Sequence, residues 1–150
     1  KIGINTRFIE LAGKINSNMP DWVINKIIKT LKKRGKSLKG LKALVLGIAF
    51  KKNVQDTRES PGVELIRILK KKGANVNYSD PHVPKFPNMR KYNFDLSSKN
   101  LTPQSINSYD FILLATDHAK FDYSMIQRNA KLIVDTRGVY LKKYKNVVKA

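Results

Sequence analysis

The stretch Leu44-Val45-Leu46-Gly47-Ile48-Ala49-Phe50-Lys51, which continues to Asp56-Thr57-Arg58-Glu59-Ser60-Pro61, predicts a strand, a charged loop and a helix. The apolar run at its start is rich in branched residues and is typical of a strand buried on both faces. Ser60 is a residue type that caps helices, and Pro61 suits the first helical position. The apolar residues that follow recur at helical spacing.

The charged loop between this strand and this helix carries three cations, Lys51, Lys52 and Arg58. Ligands of open α/β sheets bind at the carboxyl ends of the strands, and helix N-termini attract anions, so the loop is a candidate phosphate site. It lacks the Gly-x-Gly-x-x-Gly spacing of dinucleotide sites, because Ile48 and Phe50 are bulky where close backbone approach needs small residues. The alternative is an ordinary solvated loop, and composition alone does not choose between the two.

The patterns downstream predict a doubly wound α/β fold with a mainly parallel sheet. Strand, helix and strand follow one another at the spacing of right-handed parallel crossovers. Residues 81–100 hold three prolines and no periodicity, which indicates an ordered loop. We expect further strands at 75–78, 111–115 and 132–135, an edge strand at 147–148, and helices that begin near 102 and span 121–129.

Two helices are predicted before the first strand, over 4–17 and from about 19 to 35. The first helix carries an apolar stripe with Phe8, Leu11 and Ile15. One small sheet cannot bury the apolar faces of both helices. We therefore expect one of these faces to contact a partner subunit or another domain. The alternative is that both helices fold back on the sheet.

Polar side chains follow three of the predicted strands. Lys51, Asp117 with His118, and Arg137 are expected at the same edge of a doubly wound sheet. An arginine at a strand end is suited to bind a phosphate through two parallel hydrogen bonds. His118 is either a catalytic base or a structural residue. Asp135 is expected to cap or orient its neighbours and not to act as a base.

Composition sets further limits on the class of protein. The 150 residues carry a formal net charge of +19, which raises the question of nucleic acid. The basic residues are mostly lysines spread along the chain without interleaved aromatic residues, which favours a solvated surface over a specific nucleic-acid site. No apolar run is long enough to span a membrane and no signal peptide is recognised. Cysteine is absent, which favours the cytoplasm, and we expect a cytoplasmic protein.

Residues 47–61 closely resemble the signature of the UDP-glucose/GDP-mannose dehydrogenase family, the nucleotide-sugar 6-dehydrogenases. The run Val-Asp-Thr-Arg-Gly at 134–138 fits the same family, and residues 7–20 resemble the end of its central helical domain. Segments at 78–84, 94–97 and 115–123 are most similar to the UDP-N-acetylglucosamine 6-dehydrogenases. The resemblance covers essentially the whole chain.

This resemblance implies a domain division and roles for four residues. Residues 1–36 would end the central dimerisation domain, and 37–150 would form a Rossmann-like domain that binds the UDP-sugar. Phe50 and Lys51 would contact the nucleotide sugar, and Arg137 would contact its nucleotide portion. Arg58 would reach the pyrophosphate of NAD across the domain cleft. The positive charges of Lys51, Arg58 and Arg137 agree with their implied roles, because all three residues follow predicted strands.

The family's NAD-binding domain and its catalytic cysteine have no counterpart in this sequence. We therefore expect the C-terminal portion of such an enzyme, inactive alone, with no catalytic residue and no metal site of its own. NAD would be bound mainly by the missing domain, and the N-terminal helices would form a homodimer. Two alternatives stay open, a stand-alone module that binds UDP-sugars without chemistry and, less favoured, a basic nucleic-acid-binding domain.

Overall fold

The computed structural model describes residues 19–88 and 94–150. A helix, α1, runs through 19–33. The other helices are α2 (Pro61–Lys71), α3 (Pro103–Asn107) and α4 (Tyr123–Asn129), and the strands are β1 (Lys42–Leu46), β2 (Asn75–Ser79), β3 (Phe111–Leu114), β4 (Ile133–Asp135) and β5 (Val147–Lys149). No helix of this described part is long and apolar enough to cross a membrane.

The five strands form one sheet in the order β2-β1-β3-β4-β5, and each pair of neighbours is parallel. The doubly wound, parallel α/β fold predicted from the sequence is thus confirmed. β1 and β3 occupy the centre, with Leu46 paired to Ser79 of β2 on one side and to Leu114 of β3 on the other. β5 lies at the edge, as the sequence predicts.

Helices cover both faces of the sheet. On one face, α1 and α2 pack in a single core cluster with alternate residues of β1, β2 and β3. On the other face, α3 and α4 contribute Ile106 and Ile126 to a second cluster with the remaining residues of β1, β3 and β4. Leu44 and Val45 belong to different clusters, which shows why β1 reads as a continuous apolar run: both of its faces are buried.

Local chemistry fixes the start of α2. The Ser60 side chain accepts a hydrogen bond from the Gly62 N–H group, and Pro61 takes the first helical position. Lys70 and Lys71 lie in the last turn, where positive charges interact favourably with the helix dipole. These features agree with the sequence-based prediction.

Several predicted bounds shift, and some predictions fall outside the described residues. α4 begins at Tyr123 and not at 121, because the Asp122 carboxylate accepts the Met125 N–H and caps the helix there. The stripe of α1 with Ile27 is buried on the sheet, so this second helix does fold back. The helix predicted at 4–17, and with it Phe8, Leu11 and Ile15, lies outside the described residues.

Candidate functional site

The carboxyl edge of the central strands is where this topology places a ligand. From β1 the chain crosses to β2 on one side, and from β3 it crosses to β4 on the other, so the loops that follow β1 and β3 diverge at a topological switch point. The loop after β1 reaches the first turn of α2, which packs closely on it. A Cβ atom at Gly62 would lie 2.7 Å from the Gly47 carbonyl oxygen, so only glycine fits there.

The backbone N–H groups that follow β1 already donate hydrogen bonds to a carboxylate of the same chain, that of Asp80. Asp80, at the end of β2, is buried, and its Oδ2 atom accepts hydrogen bonds from the N–H groups of Ile48 (2.8 Å) and Ala49 (3.1 Å). Burial disfavours the charged carboxylate, but hydrogen bonds from His118 and from backbone N–H groups outweigh it and lower the pKa of Asp80. A phosphate at this edge must therefore be bound by groups other than these two amides.

His118, after β3, is fully buried and linked on both ring nitrogens. Its Nε2 atom lies 2.9 Å from Asp80 Oδ2, and its Nδ1 atom accepts the Asn53 N–H at 2.8 Å. A general base needs a free nitrogen within reach of substrate. The two hydrogen bonds favour the structural alternative for His118 over the hypothesis of a catalytic base.

Phe50 and Lys51 project from the loop after β1. Phe50 is exposed over 45% of its surface although it is aromatic, and Lys51 is exposed beside it. The Lys51 Nζ atom lies 5.8 Å from the centre of the Phe50 ring, within the range of a cation–π contact. Within the described ranges Lys51 has no ion pair. The Lys51 ammonium group and the exposed part of the Phe50 side chain are therefore both accessible to an anionic ligand.

Arg58 lies further along the same loop and is bound by its neighbour Asp56. Its Nε and Nη2 atoms donate to the two Asp56 carboxylate oxygens at 3.1 and 3.0 Å. This contact lowers the pKa of Asp56 to about 2. The Arg58 side chain is 86% exposed, so the pair is solvated and contributes little to stability. Its guanidinium group faces away from the packed core.

Arg137 follows β4 and is oriented by two carboxylates. Its backbone N–H donates to Asp135 Oδ1 at 2.9 Å, and its Nε donates to Asp117 Oδ1 at 3.2 Å. Asp135 is buried and also accepts the N–H groups of Gly138 and Tyr140, which confirms its predicted orienting role. The parallel register brings the ends of β3 and β4 together, and with them Asp117 and Arg137, as the sequence predicts.

The four predicted site residues fall on two loops of one sheet edge. Phe50, Lys51 and Arg58 share the loop after β1, whereas Arg137 lies beyond β3 at the end of β4. Within the parts of the chain that the structure describes, no hydrogen bond or ion pair joins the Arg137 side chain to the other three. The same parts contain no group of three or more histidine, cysteine or acidic residues arranged to hold a metal ion.

Sequence reasoning missed the importance of Asp80 and Asn53. Both act through backbone amides far away in the chain, which no local spacing reveals. One signal was present for Asp80: a carboxylate between a buried strand and a proline, directly after β2, is placed at the edge where ligands and loops meet. Asn53 has a φ of 62°, a left-handed conformation that asparagine tolerates better than most residues.

Comparison with known proteins identifies the family. The UDP binding domain of the UDP-glucose/GDP-mannose dehydrogenase family matches residues 44–142. The UDP-N-acetyl-D-mannosamine dehydrogenase of Methanococcus maripaludis is 33% identical over 143 residues, covering 90% of this chain and 31% of that protein. The UDP-N-acetyl-D-glucosamine 6-dehydrogenase of Pseudomonas aeruginosa is 29% identical over 123 residues, covering 80% of this chain and 28% of that protein.

Solved structures agree on the fold. The UDP-D-ManNAc dehydrogenase of Pyrococcus horikoshii superposes with a TM-score of 0.74 at 22% identity, over 94% of this chain and 32% of that one. The NDP-N-acetyl-D-galactosaminuronic acid dehydrogenase of Methanosarcina mazei gives 0.74 at 25% identity, over 93% and 30%.

These relatives correct one sequence-based prediction. Residues 78–84, 94–97 and 115–123 suggested greatest similarity to the glucosamine enzymes, but the mannosamine enzyme of M. maripaludis is the more similar of the two sequences compared. The chain spans about a third of the length of the curated relatives that it matches. It belongs to the UDP-glucose/GDP-mannose dehydrogenase family, and residues 44–142 are the UDP-binding domain of that family.

Proposed function

We propose that this chain is the UDP-sugar-binding part of an NAD-dependent nucleotide-sugar 6-dehydrogenase. The complete enzyme oxidises the C6 alcohol of a UDP-N-acetylhexosamine to a carboxylate. The observation that carries the proposal is the family match over residues 44–142, which includes both loops with the exposed cations Lys51 and Arg137. The names of the relatives, which include mannosamine, glucosamine and galactosaminuronic acid dehydrogenases, support an acetamido sugar.

The exposed residues of the carboxyl edge have distinct proposed roles. Lys51 pairs with the phosphate or the reacting end of the sugar, and Phe50 packs against the nucleotide sugar. Arg137 donates its free guanidinium N–H groups to the nucleotide portion, while Asp117 holds its Nε. The amides of Ile48 and Ala49 are already bound by Asp80, so side-chain cations carry the recognition of phosphate.

Arg58 has a separate proposed role toward the cofactor. Its side chain is 86% exposed, and its guanidinium group is hydrogen-bonded to the Asp56 carboxylate. We assign it to the pyrophosphate of NAD, which would be held mainly by a separate domain of the complete enzyme. Asp56 then acts as an exchangeable partner, because a solvated ion pair is released at little cost.

The chemical steps are assigned to residues outside this sequence. Converting an alcohol to a carboxylate removes two hydrides, so two NAD molecules are reduced for each sugar, and water supplies the second oxygen. A cysteine thiolate would hold the intermediate aldehyde and the later thioester, and this sequence has no cysteine. The domain described here supplies binding and orientation, which are large contributions to catalysis in their own right.

An assay of the complete enzyme tests the proposal. UDP-N-acetylmannosamine, UDP-N-acetylglucosamine and UDP-glucose are each incubated with NAD, and NADH and the sugar product are measured. We expect two NADH for each uronic acid formed, with an acetamido sugar preferred over UDP-glucose. An enzyme that reduces no NAD with any of the three sugars contradicts the assignment.

We also propose that the complete enzyme is a homodimer and that residues 1–36 belong to its central helical domain. The apolar spacing of Phe8, Leu11 and Ile15 supports a helix with a face to bury, and two-fold dimers are the commonest soluble assembly. Light scattering on the complete enzyme is expected to give twice the mass of one chain. A monomer at high concentration would contradict the dimer without affecting the proposed reaction.

A further inference from the structure

His118 links Asp80 at the end of β2 to the tip of the loop that carries Lys51. Asp80 Oδ2 is bonded to His118 Nε2, and His118 Nδ1 accepts the backbone N–H of Asn53. The Asn53 side chain continues the series, because its Oδ1 atom accepts the Ala119 N–H at 2.9 Å. The loop after β1 is thus tied to the loop after β3 at its tip, two residues beyond Lys51.

The partners of His118 decide which ring nitrogen carries the proton. The Asn53 N–H can only donate, so Nδ1 carries no proton and acts as the acceptor. The proton of a neutral imidazole then lies on Nε2 and is donated to the Asp80 carboxylate. The ring is also enclosed: its centre lies 4.7 Å from that of His82 and 5.7 Å from that of Phe121. This arrangement leaves one orientation of the imidazole that satisfies both partners.

The loop has little else to hold its tip. Residues 50–55 are exposed, and the large apolar side chains of Phe50 and Val54 contribute no buried core. Asn53 has a φ of 62°, a conformation that an unrestrained loop would populate only in part. Across the base of the loop, the Phe50 N–H donates to the Asp56 carbonyl, which closes the turn but does not anchor it to the sheet. Anchoring at the tip therefore falls to His118 and Ala119.

We propose that His118 is a positioning residue for the UDP-sugar site, an inference that rests on the proposed function of Lys51 and Phe50. Asp80 is rigid because it also binds the Ile48 and Ala49 amides. Because His118 is bonded both to Asp80 and to the Asn53 N–H, it fixes the position of the loop tip relative to the sheet. Lys51 is then held in its binding position before the ligand arrives, which reduces the entropy lost on binding.

Two amide substitutions separate the two ends of the imidazole. In His118→Asn, the amide oxygen lies near the position of Nδ1 and still accepts the Asn53 N–H, whereas the bond to Asp80 is lost. In His118→Gln, the amide nitrogen reaches the position of Nε2 and still donates to Asp80, whereas the acceptor for Asn53 is lost. Each variant removes one hydrogen bond, so both are expected to lower the melting temperature.

Only one of the two variants is expected to affect the loop. We expect hydrogen exchange of the Asn53 amide to be fast in His118→Gln and protected in His118→Asn and in the wild-type chain. In calorimetric titrations with UDP, His118→Gln is expected to bind about tenfold more weakly than wild type, and His118→Asn within about threefold. Equal exchange and equal affinity in the two variants would overturn the positioning role and leave His118 as a purely structural residue.

A measurement on the wild-type chain needs no variant. The chain has two histidines, so long-range proton–nitrogen spectra of histidine-labelled protein resolve both rings. We expect the Nδ1 atom of His118 to be unprotonated and its Nε2 atom to carry a proton, and a proton on Nδ1 would overturn the proposal. If the complete wild-type enzyme binds no UDP while the exchange pattern holds, His118 still fixes the loop, but the proposed function of Lys51 and Phe50 fails.

Discussion

Gly47 and Thr116 approach so closely that a Cβ atom on Gly47 would lie 2.5 Å from both the Cβ atom and the carbonyl oxygen of Thr116. Gly47 directly follows β1 and has a φ of 84°, and Thr116 lies just after β3. The Thr116 Oγ1 also donates to the Ala49 carbonyl at 2.7 Å. The two central strand ends are therefore joined directly beneath the candidate site, with no space between them.

Gly47→Ala is expected to destabilise the domain by about 2–5 kcal/mol. The new methyl group would lie within 3 Å of the Cβ, carbonyl oxygen and Cα atoms of Thr116, and alanine is strained at positive φ. Gly40→Ala is the matched control, because Gly40 has a φ of 82° but nothing within 4 Å of an added Cβ. We expect that control to cost about 1–2 kcal/mol, the backbone part alone.

Urea unfolding of the two variants and the wild type gives these free energies directly. Equal losses in Gly47→Ala and Gly40→Ala would mean that the loops after β1 and β3 separate freely. The packing of Gly47 against Thr116 would then not shape the site.

Lys51→Ala and Arg58→Ala are expected to have opposite selectivity in the complete enzyme. A charge-assisted contact contributes roughly 1.5–3 kcal/mol, or about ten- to a hundredfold in binding. Lys51→Ala should raise the KM for the UDP-sugar by that factor with little change for NAD, and Arg58→Ala should do the reverse. Lys52→Ala is the control for loss of charge in the same loop, and it should change neither the KM for the UDP-sugar nor that for NAD.

Steady-state kinetics with each substrate varied in turn give these KM values. Equal effects of Lys51→Ala and Arg58→Ala on both substrates would contradict the division of roles.

Some of this arrangement was predictable because it is local or follows from parallel strands. Ser60 and Pro61 specify the start of α2 within three residues, so sequence suffices. Asp117 and Arg137 meet because consecutive parallel strands β3 and β4 deliver their ends to the same edge. The fold class and the position of Arg137 could therefore be predicted from the sequence pattern alone.

The remainder depended on distant pairs. The Asp80 carboxylate binds the Ile48 amide across 32 residues, and His118 binds the Asn53 amide across 65. Neither pair has a spacing that marks it, and a histidine in a loop is equally typical of exposed positions. The same holds for Gly47, because the close approach of Thr116 adds to the requirement set by its φ of 84° and no local spacing marks it.

Stability is expected to fall at alkaline pH, in part through Tyr78. Burial, followed by the nearby Asp80 charge, raises the pKa of Tyr78 to about 12, whereas an unfolded tyrosine has a pKa of about 10. Between these values the unfolded state has lost the proton that the folded state keeps, so stability decreases as pH rises, by at most about 1.4 kcal/mol per pH unit for one group.

Tyr78→Phe isolates this contribution. The variant loses the hydrogen bond from the Tyr78 hydroxyl to the Val83 carbonyl, about 1 kcal/mol, at neutral pH. Above pH ~10 its stability should decline less steeply than that of wild type. Burial also raises the pKa values of Tyr123 and Tyr140, so the variant should retain some dependence on pH. Parallel slopes for the two proteins in urea unfolding from pH 9 to 12 would show that Tyr78 does not ionise with unfolding.

Arg137→Lys is expected to weaken UDP binding by about tenfold although it conserves the charge. Lysine lacks the Nε–H group that Asp117 holds at 3.2 Å, and it lacks the planar fork that binds phosphate through two parallel hydrogen bonds. Arg128→Lys is the matched control, because Arg128 is an exposed arginine in the last turn of α4 and not in the loops after β1 or β4, and this variant should bind UDP like the wild type. Calorimetric titration with UDP at two salt concentrations adds a second criterion. Because the charge is retained, the salt dependence of binding should match wild type in Arg137→Lys, whereas Arg137→Ala should reduce it. Unchanged affinity in Arg137→Lys would mean that Arg137 acts only as a point charge, and that its orientation by Asp117 has no part in recognition.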